Sequence, residues 1–533
     1  SDLDKRQAVI AEEMRNWRAA FKSYMAAGET LEAIRVVERN GGDVDELAPL
    51  MRSLPASSRE ELAACARYFR KSGAVPLARE AFSKLGDYAS LVAIAVEHGL
   101  WDEATDLARK HPQYAAQVHL PYADWLALQD RFEEAQEAYK KGGKPEQSVR
   151  MLEALSHNAV VEQRHADAAN YMYKLAVERL RQDAAADADG DLGLGVGAGA
   201  EDGAGARNGR GAAAAPTASA AATAYSALVS RAEVHYAYEV IHRFTEEPFT
   251  TEQAETIFHA SRFILARGGK GETPWGVSRV NTLAALGKQA RDLGANKLAR
   301  YALDKLSAYR LPAAMRDRVE LQALAVRARP FTDSEDLISV CYRCQTNNPL
   351  LNTKGDECVA CKHPFVRSFG SFEQLPLVQF KVPERIRREE ALKLLAREPP
   401  PVQRKKRAPK QANPWQDDGV GAQVLTIGGE ELEDGLDSDD PFMQALLDFE
   451  STGAFVPVEV DEDMLLSFRR EQVYVEKGPT DAVPWVWWKN MLPEIEISQC
   501  STCQHFFNGE EWDFAVLAKG RCPFCRAPQS IGE

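Results

Sequence analysis

Eight of the nine cysteines fall into four Cys-x-x-Cys pairs, and the pairs form two clusters. Cys341-Tyr-Arg-Cys344 is followed closely by Cys358-Val-Ala-Cys361, and far downstream Cys500-Ser-Thr-Cys503 is followed by Cys522-Pro-Phe-Cys525. A Cys-x-x-Cys turn aims two thiolates at one point, and two such turns complete a tetrahedral shell of four sulfurs, the arrangement zinc prefers in closed structural sites. The spacing predicts two zinc ribbons. Cys341, Cys344, Cys358 and Cys361 would hold one Zn2+, and Cys500, Cys503, Cys522 and Cys525 a second. Four thiolates leave no coordination position open, so the expected role of the metal is architectural and not hydrolytic.

A chain of 533 residues has room for three or four domains, and with 45% hydrophobic and 27% charged residues most of it can fold. No apolar run approaches the ~20 residues that cross a bilayer. A net charge of -14 argues against a general polyanion-binding surface. Paired cysteines of metal-site spacing suit a reducing compartment. The chain opens Ser-Asp-Leu-Asp with a helical pattern already running by Val9, which suggests a fragment of a longer protein.

From residue 1 to about 182 the sequence reads as helix after helix. A recurring unit is a turn residue, four further residues, and then a small Ala, as in Gly28 to Ala33, Gly73 to Ala78, Gly99 to Ala104, Asp130 to Ala135 and Gly294 to Ala299. The turn residue permits a left-handed conformation, and the Ala lets the second helix of a pair approach the first. Trp101, Ala104 and Ala108 share one helix face, as do Phe132, Ala135 and Tyr139. Such pairs bury their faces by stacking, and their irregular intervals indicate a divergent tetratricopeptide-like array. The fold class predicted is mostly α: a tetratricopeptide-like α-solenoid followed by two small four-cysteine zinc-ribbon modules. The expected segments are a helical array over 1–182, a disordered Ala/Gly-rich insertion over 183–223, and a continued array over 224–332. After these come the first ribbon and its following segment over 333–398, a charged linker over 399–440, and a C-terminal module with the second ribbon over 441–533.

The basic run Arg404-Lys405-Lys406-Arg407 lies between prolines and an acidic stretch and reads as a solvated linker, so no nucleic acid is expected. His363 and His505, each two residues after a pair, read as supporting or surface residues, because each site already has four ligands. Trp485, Trp487 and Trp488 read as a core anchoring the second ribbon, with a docking surface as the alternative. Cys65 reads as a small buried residue. No His-Glu-x-x-His, Ser/His/Asp or phosphate-loop pattern is present, so no catalytic or cofactor-binding residue is assigned and no enzyme is expected.

At the first ribbon the residues become specific. Cys341 to Phe365, the stretch Ser368-Phe-Gly-Ser-Phe-Glu-Gln-Leu-Pro-Leu-Val-Gln-Phe380, Asp440-Pro-Phe-Met, Phe455-Val-Pro-Val, the Trp-rich segment and Cys500 to Cys525 together resemble a known family. It is the C-terminal part of the intraflagellar transport 122 family, the WD40 and tetratricopeptide subunits of intraflagellar transport complex A. The resemblance is strong over the last ~200 residues and architectural over the helical array. It implies upstream WD40 propellers and a non-enzymatic scaffold at the cilium and basal body, on the cytoplasmic side and associated with the cytoskeleton. The implied partners are the other complex A subunits and ciliary cargo adaptors. The implied roles are complex assembly, retrograde transport and ciliary entry of membrane proteins. An endomembrane coat or tether shares the same layout, and a zinc-dependent ubiquitin ligase is a further alternative.

Overall fold

The structure, a computed structural model, describes residues 2–191, 220–247, 252–268, 273–396, 441–447, 454–480 and 482–529. Apart from helix ends at 183–191 and 220–223, the Ala/Gly-rich insertion lies outside the described residues, as does the charged linker with its basic run. The chain divides into two compact units, 1–151 and 152–533.

The first unit is built from helices α1 (Asp2–Glu13), α2 (Trp17–Ala27), α3 (Thr30–Asn40), α4 (Val44–Ser53), α5 (Arg59–Lys71), α6 (Val75–Leu85), α7 (Tyr88–Glu97), α8 (Trp101–Lys110), α9 (Ala115–Leu128) and α10 (Phe132–Lys141). Helix α11 (Pro145–Val161) carries the division between the units. Each predicted turn residue is left-handed: Gly28, Gly73, Gly99 and Asp130 have φ of 79°, 78°, 67° and 60°. Each also closes the preceding helix with a Schellman bond from the next residue, such as Glu29 N to Tyr24 O at 3.0 Å and Arg131 N to Leu126 O at 3.0 Å. That next residue caps the following helix, which places Ala33, Ala78, Ala104 and Ala135 one turn in, fully buried at the helix contact.

Among the described residues, three more copies of this turn are present. Arg15 to Ala20 and Gln163 to Ala168 use a non-Gly left-handed residue, and Gly143 to Ser148 ends on a buried Ser in place of Ala. The long interval between Gly28 and Gly73 holds an additional helix, α4, whose Leu47 and Met51 enter the core with Ile34, Leu62 and Phe69.

The second unit continues with α12 (His165–Asp191), α13 (Ala220–Glu246), α14 (Ala254–Arg267), α15 (Arg279–Asp292), α16 (Asn296–Ser307) and α17 (Ala313–Arg327). Its turn at Gly294 has φ 85° and buries Ala299 as predicted. Beyond the array lies a four-stranded sheet of β1 (Leu377–Lys381), β2 (Val458–Glu459), β3 (Val473–Glu476) and β4 (Val486–Asn490), in the order β2-β1-β4-β3. Only the β1–β2 pair is parallel. Alternation along the strands gives the sheet two apolar faces. Val378, Phe380, Val473, Val475 and Trp487 pack with α18 (Arg388–Leu395), α19 (Pro441–Leu447) and α20 (Glu462–Ser467). Leu377 and Trp488 pack with Ile497 and Phe506 of a separate hairpin, β5 (Ile497–Gln499) and β6 (Phe506–Asn508). Helix α21 (Gly509–Lys519) follows β6. Among the described residues, no helix is long and apolar enough to cross a membrane.

Candidate metal centres and their surroundings

Each Cys-x-x-Cys pair sits in a tight knuckle. The residue after the second cysteine is left-handed, with φ between 55° and 64° at Gln345, Lys362, Gln504 and Arg526. Its amide donates to the carbonyl of the first cysteine, at 2.8, 3.2, 3.0 and 3.0 Å respectively. These turns bring Cys341, Cys344, Cys358 and Cys361 together, and likewise Cys500, Cys503, Cys522 and Cys525, with the sulfurs of each quartet within 4.8 Å of one another. The cross-knuckle Sγ···Sγ distances are 3.6 Å for Cys341–Cys361 and Cys344–Cys358, 3.7 Å for Cys500–Cys525, and 3.8 Å for Cys503–Cys522. A tetrahedral site with Zn–S near 2.3 Å has an S···S edge of about 3.8 Å. Both quartets therefore fit a zinc site. Hydrogen bonding with Cys361 Sγ holds the Cys341 thiol below its usual range, and the amides of Cys344 and Arg343 add to this.

The two quartets differ in what surrounds them. The first forms a local cluster with Ala360 and Phe365. Its supporting loop is tied to α14 through Arg262, which is 4% exposed and donates from Nε to Leu350 O. Burial, then the neighbouring Arg367, pulls the Arg262 guanidinium down to about 9. Arg367 in turn forms a buried two-pronged ion pair with Asp356, at 2.7 and 2.6 Å.

The second quartet belongs to the core of its unit. Cys500, Cys503, Cys522 and Cys525 pack with Tyr173 of α12, Val234 and Tyr238 of α13, Phe263 of α14, and Phe369, Phe372, Phe507 and Phe524. A strand and a helix, β6 and α21, separate its two knuckles where a plain ribbon would have a hairpin. Polar contacts complete the attachment. Tyr173 Oη donates to Thr502 O at 3.2 Å, and Arg526 pairs with Asp167. Glu233 of α13 meets His505 Nε2 at 3.2 Å and Arg267 of α14 at 3.2 Å, the latter an ion pair without hydrogen-bond alignment. Burial raises the Glu233 carboxyl, but the Arg267 charge and the His505 contact outweigh it and leave the group below its usual range.

Both histidines beside the knuckles are buried, so the surface alternative for them is set aside. His363 Nε2 accepts from Gln379 N of β1 at 3.0 Å, and burial, then Arg343, pulls the ring down to about 3, so it stays a neutral acceptor. His505 lies against Phe369 and Phe524, with ring centroids 4.3 and 4.2 Å away. Trp487 and Trp488 are 5% and 6% exposed on opposite faces of β4, which removes them as a docking surface, while Trp485 is half-buried against Arg388 and Lys477. Cys65 is fully buried, and that burial, then Glu61, raises its thiol to about 12.

Stacked helical pairs joined to two four-cysteine knuckle sites define a tetratricopeptide-repeat protein with zinc-ribbon sites. Residues 2–194 match the model of the intraflagellar transport protein 122 tetratricopeptide domain, and residues 334–378 match that family's zinc ribbon domain. The chain is 38% identical over 533 residues to the intraflagellar transport protein 122 homolog of Danio rerio, covering 99% of this chain. It is 39% identical over 525 residues to the Mus musculus homolog and 38% identical over 525 residues to the Homo sapiens homolog, each covering 98% of this chain. The chain belongs to the intraflagellar transport protein 122 family and corresponds to the C-terminal part of its members. It spans about two-fifths of the length of these curated relatives, at 41%, 41% and 39%.

Proposed function

We propose that this chain is a non-enzymatic scaffold of intraflagellar transport complex A, stiffened by two structural Zn2+ ions. Cys341, Cys344, Cys358 and Cys361 hold one ion, and Cys500, Cys503, Cys522 and Cys525 hold the other. The observation that carries this reading is the similarity to intraflagellar transport protein 122 homologues along nearly the whole chain. Two physical features support it. Stacked helical pairs offer extended protein-binding surfaces, and a closed shell of four sulfurs stiffens without leaving a position for substrate or water. The partners are the other complex A subunits and ciliary cargo adaptors. The setting is the cilium and basal body on the cytoplasmic side, and the roles are complex assembly, retrograde transport and ciliary entry of membrane proteins.

The test removes this segment from the full-length protein in ciliated cells and recovers complex A by affinity purification. Loss of subunits from the complex, with retrograde cargo accumulating in the cilium, is expected. An intact complex and normal cargo return would overturn the scaffold reading. Discharge of charged ubiquitin by the purified chain would replace it with a ligase.

A further inference from the structure

Among the described residues, five turns share the knuckle backbone, and one of them has no cysteine. In the four Cys-x-x-Cys knuckles the first cysteine's amide donates to the carbonyl five residues on: Thr346, His363, His505 and Ala527, at 3.0, 2.9, 3.0 and 2.9 Å. The residues flanking each turn pair across it, as Val340 with Asn347, Glu357 with Pro364, Gln499 with Phe506, and Arg521 with Pro528. Residues 367–374 repeat every element. Ser368 N donates to Glu373 O at 2.9 Å, Phe372 N donates to Ser368 O at 2.8 Å, Phe372 has φ 60°, and Arg367 pairs with Gln374. This register puts Ser368 and Ser371 where the metal knuckles carry their two thiolates.

The two hydroxyls are engaged as thiolates are. Ser368 Oγ accepts from Gly370 N at 3.3 Å, and Ser371 Oγ accepts from Glu373 N at 3.4 Å. The corresponding bonds in the metal knuckles run from the Arg343 amide to Cys341 and from the His363 amide to Cys361. In place of a metal the serine turn holds a carboxylate. Glu511 Oε2, from the first turn of α21, accepts from Ser368 Oγ at 2.6 Å and from Ser371 N at 3.2 Å. Ser368 Oγ also accepts from Asn508 N at 3.1 Å, so its one donor and two acceptor sites are all filled. Gly370 is needed for space and not for φ, because a Cβ there would stand 2.2 Å from Glu511 Oε2.

We propose that residues 368–371 form a metal-free knuckle whose hydroxyl and amide donors bind the Glu511 carboxylate as their ligand, clasping the segment behind the first quartet to the helix inside the second. Successive backbone amides in such a turn form a concavity that favours an anion. A carboxylate received by a hydroxyl and an amide supplies the charge-assisted bonds that thiolate and metal supply elsewhere. The clasp is independent of complex A membership.

Hydrogen exchange on the full chain, read by mass spectrometry with metal content measured in parallel, tests it. Glu511→Gln keeps the shape and removes the charge. It should speed exchange in 366–374 and 505–514 by roughly tenfold to a hundredfold, with metal content unchanged. Gly370→Ala should produce the same change by displacing the carboxylate, and the double variant should match Glu511→Gln alone. Unchanged protection in either single variant would overturn the clasp. So would additive effects in the double variant, or a loss of metal that accompanies the change.

Discussion

Replacing Cys522 by serine should loosen helices α12 to α14 as well as its own turn. Cys522 is 1% exposed and sits two residues before Phe524, whose ring lies 5.6 Å from Tyr173, 5.3 Å from Tyr236 and 5.6 Å from Phe369. A structural zinc contributes on the order of 10 kcal/mol or more to a small module, comparable with the whole stability of a domain. The knuckle would therefore open once a ligand is lost. Opening withdraws Phe524 from the shared core, and losing a buried Phe costs about 3–5 kcal/mol. Passed on to local opening of α12 to α14, about 3 kcal/mol is roughly a 150-fold rise in exchange. Cys341→Ser is the control. Its quartet packs in a local cluster, so faster exchange should be largest within about 338–366 and should leave α12 and α13 protected. The assay is hydrogen exchange with zinc counted by elemental analysis. If Cys522→Ser halves the zinc content and leaves the α12 to α14 amides as protected as before, the second quartet is a satellite and the packing argument fails.

Trp488→Ala should destabilise the second unit by about 3–5 kcal/mol, because the side chain fills one face of the sheet against Ile497 and Phe506. A thermal melt measures this, and an unchanged melting temperature would contradict the burial. Arg367→Met leaves Asp356 buried without its partner and should cost about 3–5 kcal/mol in a denaturant titration. A loss within error of zero would show the pair to be dispensable. Acid should weaken the second unit through His165 and His235, whose Nδ1 atoms lie 3.3 Å apart. Burial first, with His242 beside His165 and with His165 and Arg231 beside His235, holds each ring down at about 4. An unfolded histidine titrates near 6.5, so this contribution is complete above about pH 6.5 and is lost as the pH falls from there toward 4. Melting scans from about pH 7.5 to 5 should show the decline, and a His165→Asn/His235→Asn variant should show a shallower one. An equal slope in the variant would place the titrating groups elsewhere.

The short-range patterns were legible in the residues alone. Two cysteines three apart in a turn can point both sulfurs one way, and a turn residue five before a small Ala can close one helix and begin the next. That is why the quartets and the turns at Gly28, Gly73, Gly99, Asp130 and Gly294 could be read directly. The turns at Arg15 and Gln163 were missed because Arg and Gln, unlike Gly or a short polar Asp, reach the left-handed region only when surrounding helices offset the strain, and that compensation is tertiary. The sheet was not legible either, since β1 and β2 come from opposite sides of the linker segment and β2 is only two residues long.

What only the tertiary structure decided is what the second quartet and the serine turn lean on. Glu233 meets His505 across 272 residues, and Ser368 meets Glu511 across 143. No local spacing encodes such a pair, because the energy of a buried charge depends on which donors the completed fold brings to it. By itself the sequence determined a helical array, eight sulfurs in two quartets and the family they belong to. Whether a tryptophan faces core or solvent, and which carboxylate meets the serine turn, followed from packing, which exists only once the chain has folded.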